Sequence, residues 1–349
     1  MQEPPLKIGM IGYGYFARFH LNAWQRMEGV ELVGLAETAT ERRKAAQIDA
    51  SNLTVFQSID EMLDVQELDL LDVATPSTTH LSLIEPQLGK VPVIVCQKPF
   101  CENLSQAEEL ANLAENSTSK LVVHENFRFQ PWYREIARLI DADRLGRVVQ
   151  AQFRMRPGDG AAPDAYLDRQ PYFRNMEKFL IRETGVHWVD VFRFLFGEPV
   201  SLSADLFRTN PVIAGEDSGT FTFQMANGAR IQFDGNRTLD HPAENRRLTM
   251  GEFLVEGRHA SLHLSGDGEI KLREFGSNEW HKHTYEFHDV DFGGDCVFHF
   301  QRHVRDHLLE GAVLENEATE YLKNLRVQED IYAAAKDGVR ISLLGKGSG

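Results

Sequence analysis

The rhythm of apolar and polar positions changes near residue 147. Before that point, short apolar runs alternate with segments of helix length. Residues 7–11 predict a buried strand, 12–14 its turn and 17–27 a helix; 31–36, 68–74, 91–96 and 120–124 repeat the strand pattern. Parallel neighbours need a crossover of about helix length, so this order predicts a parallel, doubly wound sheet. Beyond 147 the alternation has a period of two, over 148–156, 200–208, 219–225, 229–234, 249–256, 259–264, 270–275 and 283–287. Those runs predict a largely antiparallel sheet. Asn227-Gly228 marks a two-residue hairpin in which both positions take positive φ. Helices over 295–310 and 317–336 close the chain, and Lys346 to Gly349 read as a loose tail. No repeat or low-complexity stretch interrupts this order.

The expected fold class is α/β: an N-terminal doubly wound parallel sheet over 1–125, then an α+β domain over 126–349 with an open, largely antiparallel sheet. The final helices are expected to pack back on the first domain. A length of 349 residues supports this division, because single cores stop growing at roughly 250–300 residues. Hydrophobic residues at 42% and charged residues at 26% are ordinary for globular chains. The net charge of −15 repels phosphate backbones and anionic lipids, so neither nucleic acid nor membrane is an expected partner. Cys96, Cys101 and Cys296 form no paired framework, residues 1–10 lack an apolar signal core, and no apolar run reaches bilayer length. The expected location is the cytoplasm.

Gly12-Tyr-Gly14-Tyr15-Phe16-Ala17 fits G-x-G-x-x-G/A between a strand and a helix. Gly12 permits the tight turn, Gly14 a close approach to a pyrophosphate, and Ala17 close helix–strand packing. Glu37 ends the next strand, at the offset where a carboxylate bonds an adenosine ribose. Its charge repels a 2′-phosphate, which favours NAD over NADP. Arg42 and Arg43 leave two readings open: contact with such a phosphate, or a solvated helix face.

Further segments carry a resemblance. They are Ala74-Thr75-Pro76-Ser-Thr-Thr-His80, Gln97-Lys98-Pro99, His124-Glu-Asn126-Phe-Arg128-Phe-Gln-Pro131 and Glu183-Thr-Gly-Val-His187-Trp-Val-Asp190. With the opening Ile8 to His20 and the closing Leu325-Arg-Val-Gln-Glu-Asp-Ile-Tyr, the chain resembles the Gfo/Idh/MocA family, the glucose–fructose oxidoreductase and inositol dehydrogenase group. The resemblance implies a Rossmann domain, an α/β domain whose sheet forms a homodimer or homotetramer contact, and NAD(P)-dependent oxidation of a secondary hydroxyl on a sugar, polyol or glycoside. It puts Thr75, Pro76, His80, Gln97 and Lys98 at the cofactor. It maps the family's catalytic lysine onto Lys98, and its Asp-x-Gly-x-His pair onto Glu183 and His187. Gln97 stands where the family usually has glutamate, and Glu183 where aspartate is commoner.

Alcohol oxidation needs a hydride acceptor and a base for the hydroxyl proton. An imidazole titrates near neutrality, which suits His187 as the base. Lys98 would stabilise the developing alkoxide, and Glu183 would bind another hydroxyl or relay a proton. Asp190 shares a helical face with His187, in an orienting or structural role. Asn126 and Arg128 are candidate pocket residues, although the Phe127/Phe129 alternation also reads as packing. Arg156, Tyr166, Tyr172 and Arg174 suit either a sugar or an oligomer contact. Cys296, His299, His303 and His307 share a helix face, read as packing, and no metal site is expected. Two other functions use the same scaffold: redox-neutral glycoside cleavage with NAD, and a silent nucleotide-binding regulator.

Overall fold

In the computed structural model, residues 4–345 are described; the tail from Lys346 lies outside them. The chain divides into two compact units. One runs to Asn126 and takes in Val297–Lys323; the other comprises Phe127–Cys296 and the segment from Asn324 onward.

The first unit is built on six parallel strands, β1 (Leu6–Ile11), β2 (Val30–Ala36), β3 (Val55–Phe56), β4 (Leu70–Val73), β5 (Val93–Gln97) and β6 (Lys120–His124). Their order in the sheet is β3-β2-β1-β4-β5-β6. The connections include α1 (Ala17–Gln25), α2 (Thr40–Asp49), α3 (Ile59–Leu63), α4 (His80–Ile84) and α5 (Leu104–Glu115). Ile8, Met10, Leu70, Leu71, Val73, Ile94 and Val95 are wholly buried, so these strands read as continuous apolar runs, as a sheet covered on both faces requires. Strand order reverses between β1 and β4. In such sheets a ligand crevice opens at the carboxyl ends of the strands beside the switch.

The second unit holds a nine-stranded sheet. Its strands are β7 (Val148–Met155), β8 (Pro199–Phe207), β9 (Ser218–Met225), β10 (Arg230–Asn236), β11 (Gly251–Gly257), β12 (Ala260–Leu264), β13 (Ile270–Glu274), β14 (His281–His283) and β15 (Ile341–Ser342). Neighbours pair antiparallel in the order β14-β13-β12-β11-β7-β10-β9-β8-β15, except for the parallel β7–β10 pair. The alternation predicted for each strand puts one residue set into a single core with α6 (Pro131–Asp141) and α7 (Val186–Phe196). Phe153 meets Trp188 with ring centroids 4.3 Å apart, and Phe221 stacks on Phe233 at 4.9 Å. Thr220, Thr222 and Gln224 of β9 alternate with buried Phe221, Phe223 and Met225, leaving the opposite sheet face polar. Two further helices, α8 (Cys296–Glu310) and α9 (Ala318–Asp337), follow within a residue of their predicted bounds.

Two sequence expectations change. The hairpin between β9 and β10 is not a two-residue loop with both positions at positive φ. Gly228 N–H donates to the Met225 carbonyl at 2.9 Å, so Ala226 and Asn227 are the central turn residues and only Gly228 has positive φ, +89°. This is a type I turn closed by a glycine bulge. The strand expected over 283–287 sits earlier, at β14, because Ile270 to Leu272 of β13 pair with His281 to His283.

Candidate active site

The turn after β1 is shaped by Gly12, whose φ is +91°; a Cβ there would lie 2.7 Å from the Ala74 carbonyl oxygen. Gly14 is exposed, and a Cβ there would meet nothing within 4 Å. Ala17 opens α1 almost fully buried, while Tyr15 stays exposed and Phe16 half-buried. Glu37, immediately after β2, is 5% exposed. Its carboxylate accepts Tyr13 N–H at 2.9 Å and Ala39 N–H at 2.8 Å, and Arg42 Nε and Nη2 at 2.9 and 3.1 Å. Burial alone would raise its pKa, but the Arg42 bond and the two backbone donors outweigh it and hold the carboxyl below its ordinary range. Arg42 therefore serves the carboxylate. Arg43 folds onto the main chain, donating to the Glu37 carbonyl at 2.8 Å and to that of Thr38.

Thr75 and Pro76 follow β4 at the same edge of the sheet, and Thr79 Oγ1 donates to Thr75 Oγ1 at 2.9 Å. His80 is the correction in this group. It is wholly buried, with its ring nitrogens 2.9 Å from the Phe100 carbonyl and 2.8 Å from that of Thr75. Burial pulls its pKa below the ordinary range against those carbonyls. Its ring ties two loops together and offers no surface to a cofactor. Gln97 ends β5, 7% exposed, and Lys98 follows it half-buried. Asn126, 2% exposed, closes the first stretch of this unit.

In the second unit the candidates gather around a wide π-type turn, Leu180–Gly185, that runs into α7. Such turns are rare and cluster at functional sites. Glu183 lies within it, 8% exposed, and His187 on the first turn of α7, 4% exposed. The His187 ring stacks on Phe127 at 3.8 Å with a 3° angle between planes, which fixes the orientation of the imidazole. The free donors of the turn are capped by Glu216, whose side chain accepts Phe179 N–H and Ile181 N–H at 3.1 and 3.2 Å. Tyr332 accepts Arg182 N–H at 3.1 Å and donates to Glu216 at 2.6 Å.

Three residues expected to touch substrate have their polar groups engaged elsewhere. Arg128 Nε and Nη2 bind both oxygens of buried Asp190 at 2.8 and 2.6 Å, and Asn324 donates to the same carboxylate at 2.7 Å. Arg156 donates to the main chain and carboxylate of Asp234, each at 2.6 Å. Tyr166, 4% exposed, joins a clasp around Arg237. Arg237 donates to Tyr166 Oη at 2.7 Å, Thr184 Oγ1 at 2.6 Å and Asp159 Oδ2 at 2.6 Å. The loop after β7 is thereby tied to the residue beside Glu183. Burial would raise the Asp159 pKa, but the Arg237 and Arg169 guanidinium groups hold it below the usual range. Tyr172 is 55% exposed, and its hydroxyl accepts Gln170 Nε2–H at 3.1 Å. Arg174 donates to the Pro163 carbonyl at 3.2 Å.

Sequence reasoning missed the Asp159–Arg237 clasp and the buried set of His20, Asp72 and Gln301. One signal was available: Asp72 is a lone acid inside the apolar run of β4, and a buried charge there needs donors. Among the described residues, no group of three or more His, Cys, Asp or Glu side chains is placed to hold a metal. His303 Nε2 accepts Glu315 N–H at 2.9 Å, and His307 Nδ1 lies 2.6 Å from the Ala312 carbonyl. No described helix is long and apolar enough to cross a membrane.

Residues 6–125 match an oxidoreductase family with an NAD-binding Rossmann fold, and residues 133–263 match the C-terminal domain of the same Gfo/Idh/MocA group. The chain belongs to the Gfo/Idh/MocA oxidoreductase family. It is similar to D-apiose dehydrogenase of Paraburkholderia graminis, 29% identical over 97% of this chain and 89% of that one. A D-apiose dehydrogenase of Rhizobium rhizogenes is 26% identical over 98% and 99%. Among solved structures, an oxidoreductase from Agrobacterium radiobacter in complex with NAD+, L-tartaric acid and magnesium superposes with a TM-score of 0.86, at 25% identity, over 97% of this chain and 98% of that one. This Gfo/Idh/MocA protein is thus an NAD-binding oxidoreductase with a Rossmann sheet and a second, mixed sheet. Its residues fit the cofactor: the space beside Gly14 is open, the turn admits no side chain at Gly12, and a carboxylate held ionised stands after β2.

Proposed function

We propose that the protein is an NAD-dependent dehydrogenase that oxidises a secondary hydroxyl of a sugar or polyol, with D-apiose the first substrate to try. The observation that carries this reading is whole-length likeness to two D-apiose dehydrogenases, by a chain whose own sequence carries Lys98, Glu183 and His187. Gly12, Gly14, Tyr15, Phe16, Ala17 and the start of α1 would hold the pyrophosphate, Glu37 the adenosine ribose, and Thr75, Pro76 and Gln97–Lys98 the rest of the dinucleotide. NAD supplies the hydride acceptor when bound. Lys98 hydrogen-bonds the reacting oxygen and stabilises its developing negative charge. His187 takes the hydroxyl proton, with Phe127 holding the ring in plane. Glu183 binds a neighbouring hydroxyl. Tyr172, Arg174 and Asn126 are the remaining substrate-contact candidates, and the open sheet face is the proposed homodimer or homotetramer contact.

D-apiose, inositols, uronic acids and glycosides, assayed for NADH and NADPH formation, test the reading. NADH accumulation with a free sugar or polyol supports it. Release of a sugar from a glycoside without net NADH, or ligand binding without any turnover, overturns it.

A further inference from the structure

His20, on α1, is wholly buried, and its two ring nitrogens face partners of opposite kind. Nδ1 lies 2.8 and 3.0 Å from the oxygens of Asp72 on β4. Asp72 also accepts Trp24 Nε1–H at 2.7 Å and the Gln301 amide at 3.3 Å. A carboxylate ringed by donors requires His20 Nδ1 to carry a proton. Nε2 lies 2.9 Å from the side-chain nitrogen of Gln97. The other end of that amide fixes its orientation: Gln97 Oε1 accepts the main-chain N–H of Lys98 at 2.5 Å, and a backbone N–H can only donate. Gln97 therefore presents its NH2 to His20, and His20 Nε2 accepts. An imidazolium would set N–H against N–H between two buried side chains.

We propose that Gln97 is a positioning residue that locks His20 in the neutral Nδ1–H tautomer while holding the main chain of Lys98. The donors run one way, from Lys98 N–H through Gln97 and His20 to Asp72. The groups facing His20 are Asp72 on β4, Gln97 on β5, His124 on β6 with ring centroids 4.1 Å apart, and Phe16 just before its own helix; Gln301 of α8 reaches its carbonyl. A carboxylate at position 97 would present acceptors to Nε2 and draw a second proton onto the ring. Glutamine removes that titration from the strand end that bears Lys98. The consequence for turnover rests on the role proposed for Lys98, whereas the tautomer does not.

The test is long-range 15N–1H correlation of the full-length protein labelled at histidine nitrogens, with His20 assigned by loss of its signals in His20→Gln. Wild-type His20 should show one protonated and one unprotonated nitrogen at neutral pH. Gln97→Glu should move Nε2 to the protonated position and add an ionisation to the pH profile of kcat/KM. A doubly protonated His20 in the wild type at neutral pH overturns the proposal, whether or not the variant folds. So does an imidazolium in Gln97→Glu with an unaltered pH profile. If the tautomer is as stated but Lys98→Met turns over normally, the role of Lys98 fails and the tautomer stands.

Discussion

A carboxylate at position 37, 5% exposed, is held ionised because Arg42 and two backbone donors face it. Its folded pKa is depressed, so its stabilising contribution is complete above the ordinary glutamate value near 4.3 and is lost only as pH falls through the lower folded value. Cofactor binding should therefore show no titration from this group between about pH 5 and 8. Glu37→Gln removes a charged acceptor worth about 1.5–3 kcal/mol, so KM for NAD should rise about tenfold or more, with kcat little changed and the preference over NADP narrowed. Steady-state kinetics with both cofactors checks this. Glu37 was legible because its offset from the glycine turn is set by the length of one β-α-β unit. Arg128, Arg156 and His80 were not legible as anchors, since sequence spacing gives a residue's place on an element but not the partner waiting across the fold.

Elements carry their own tests. Gly228 has open space where a Cβ would stand, so Gly228→Ala meets only the backbone cost of positive φ, about 1–2 kcal/mol. Urea unfolding of the variant measures it. Arg237→Met leaves partly buried Asp159 with only Arg169 as a charged partner, and should destabilise the protein by up to about 3 kcal/mol while raising the KM for substrate by loosening the loop after β7. The Asp159 pKa is also depressed, so the wild-type clasp holds above about pH 4 and weakens only in stronger acid. Strand positions were legible from period-two alternation, and β6 matches its predicted bounds. The π-type turn was not, because a single widened turn leaves no repeating pattern. The type of the β9–β10 turn was also hidden, because Asn-Gly serves two geometries that differ in which residue takes positive φ.

For the whole molecule, the reversal of apolar rhythm near residue 147 corresponds to two sheets of different kind, one parallel and covered on both faces, the other with a polar face bearing Thr220, Thr222 and Gln224. If that face is the subunit contact, Thr222→Arg should shift the protein toward monomer in analytical ultracentrifugation while its NAD affinity holds; an unchanged assembly removes the proposal. The central claim concerns Lys98 and His187, which the chain carries on separate units. The most direct measurement is turnover of Lys98→Met and His187→Ala on the best sugar substrate, alongside NAD affinity by titration. Each variant should lose a factor of roughly 10² or more in kcat while binding NAD as the wild type does. Near-normal turnover in either variant would contradict the role assigned to that residue, and near-normal turnover in both would leave a nucleotide-binding protein without the proposed chemistry.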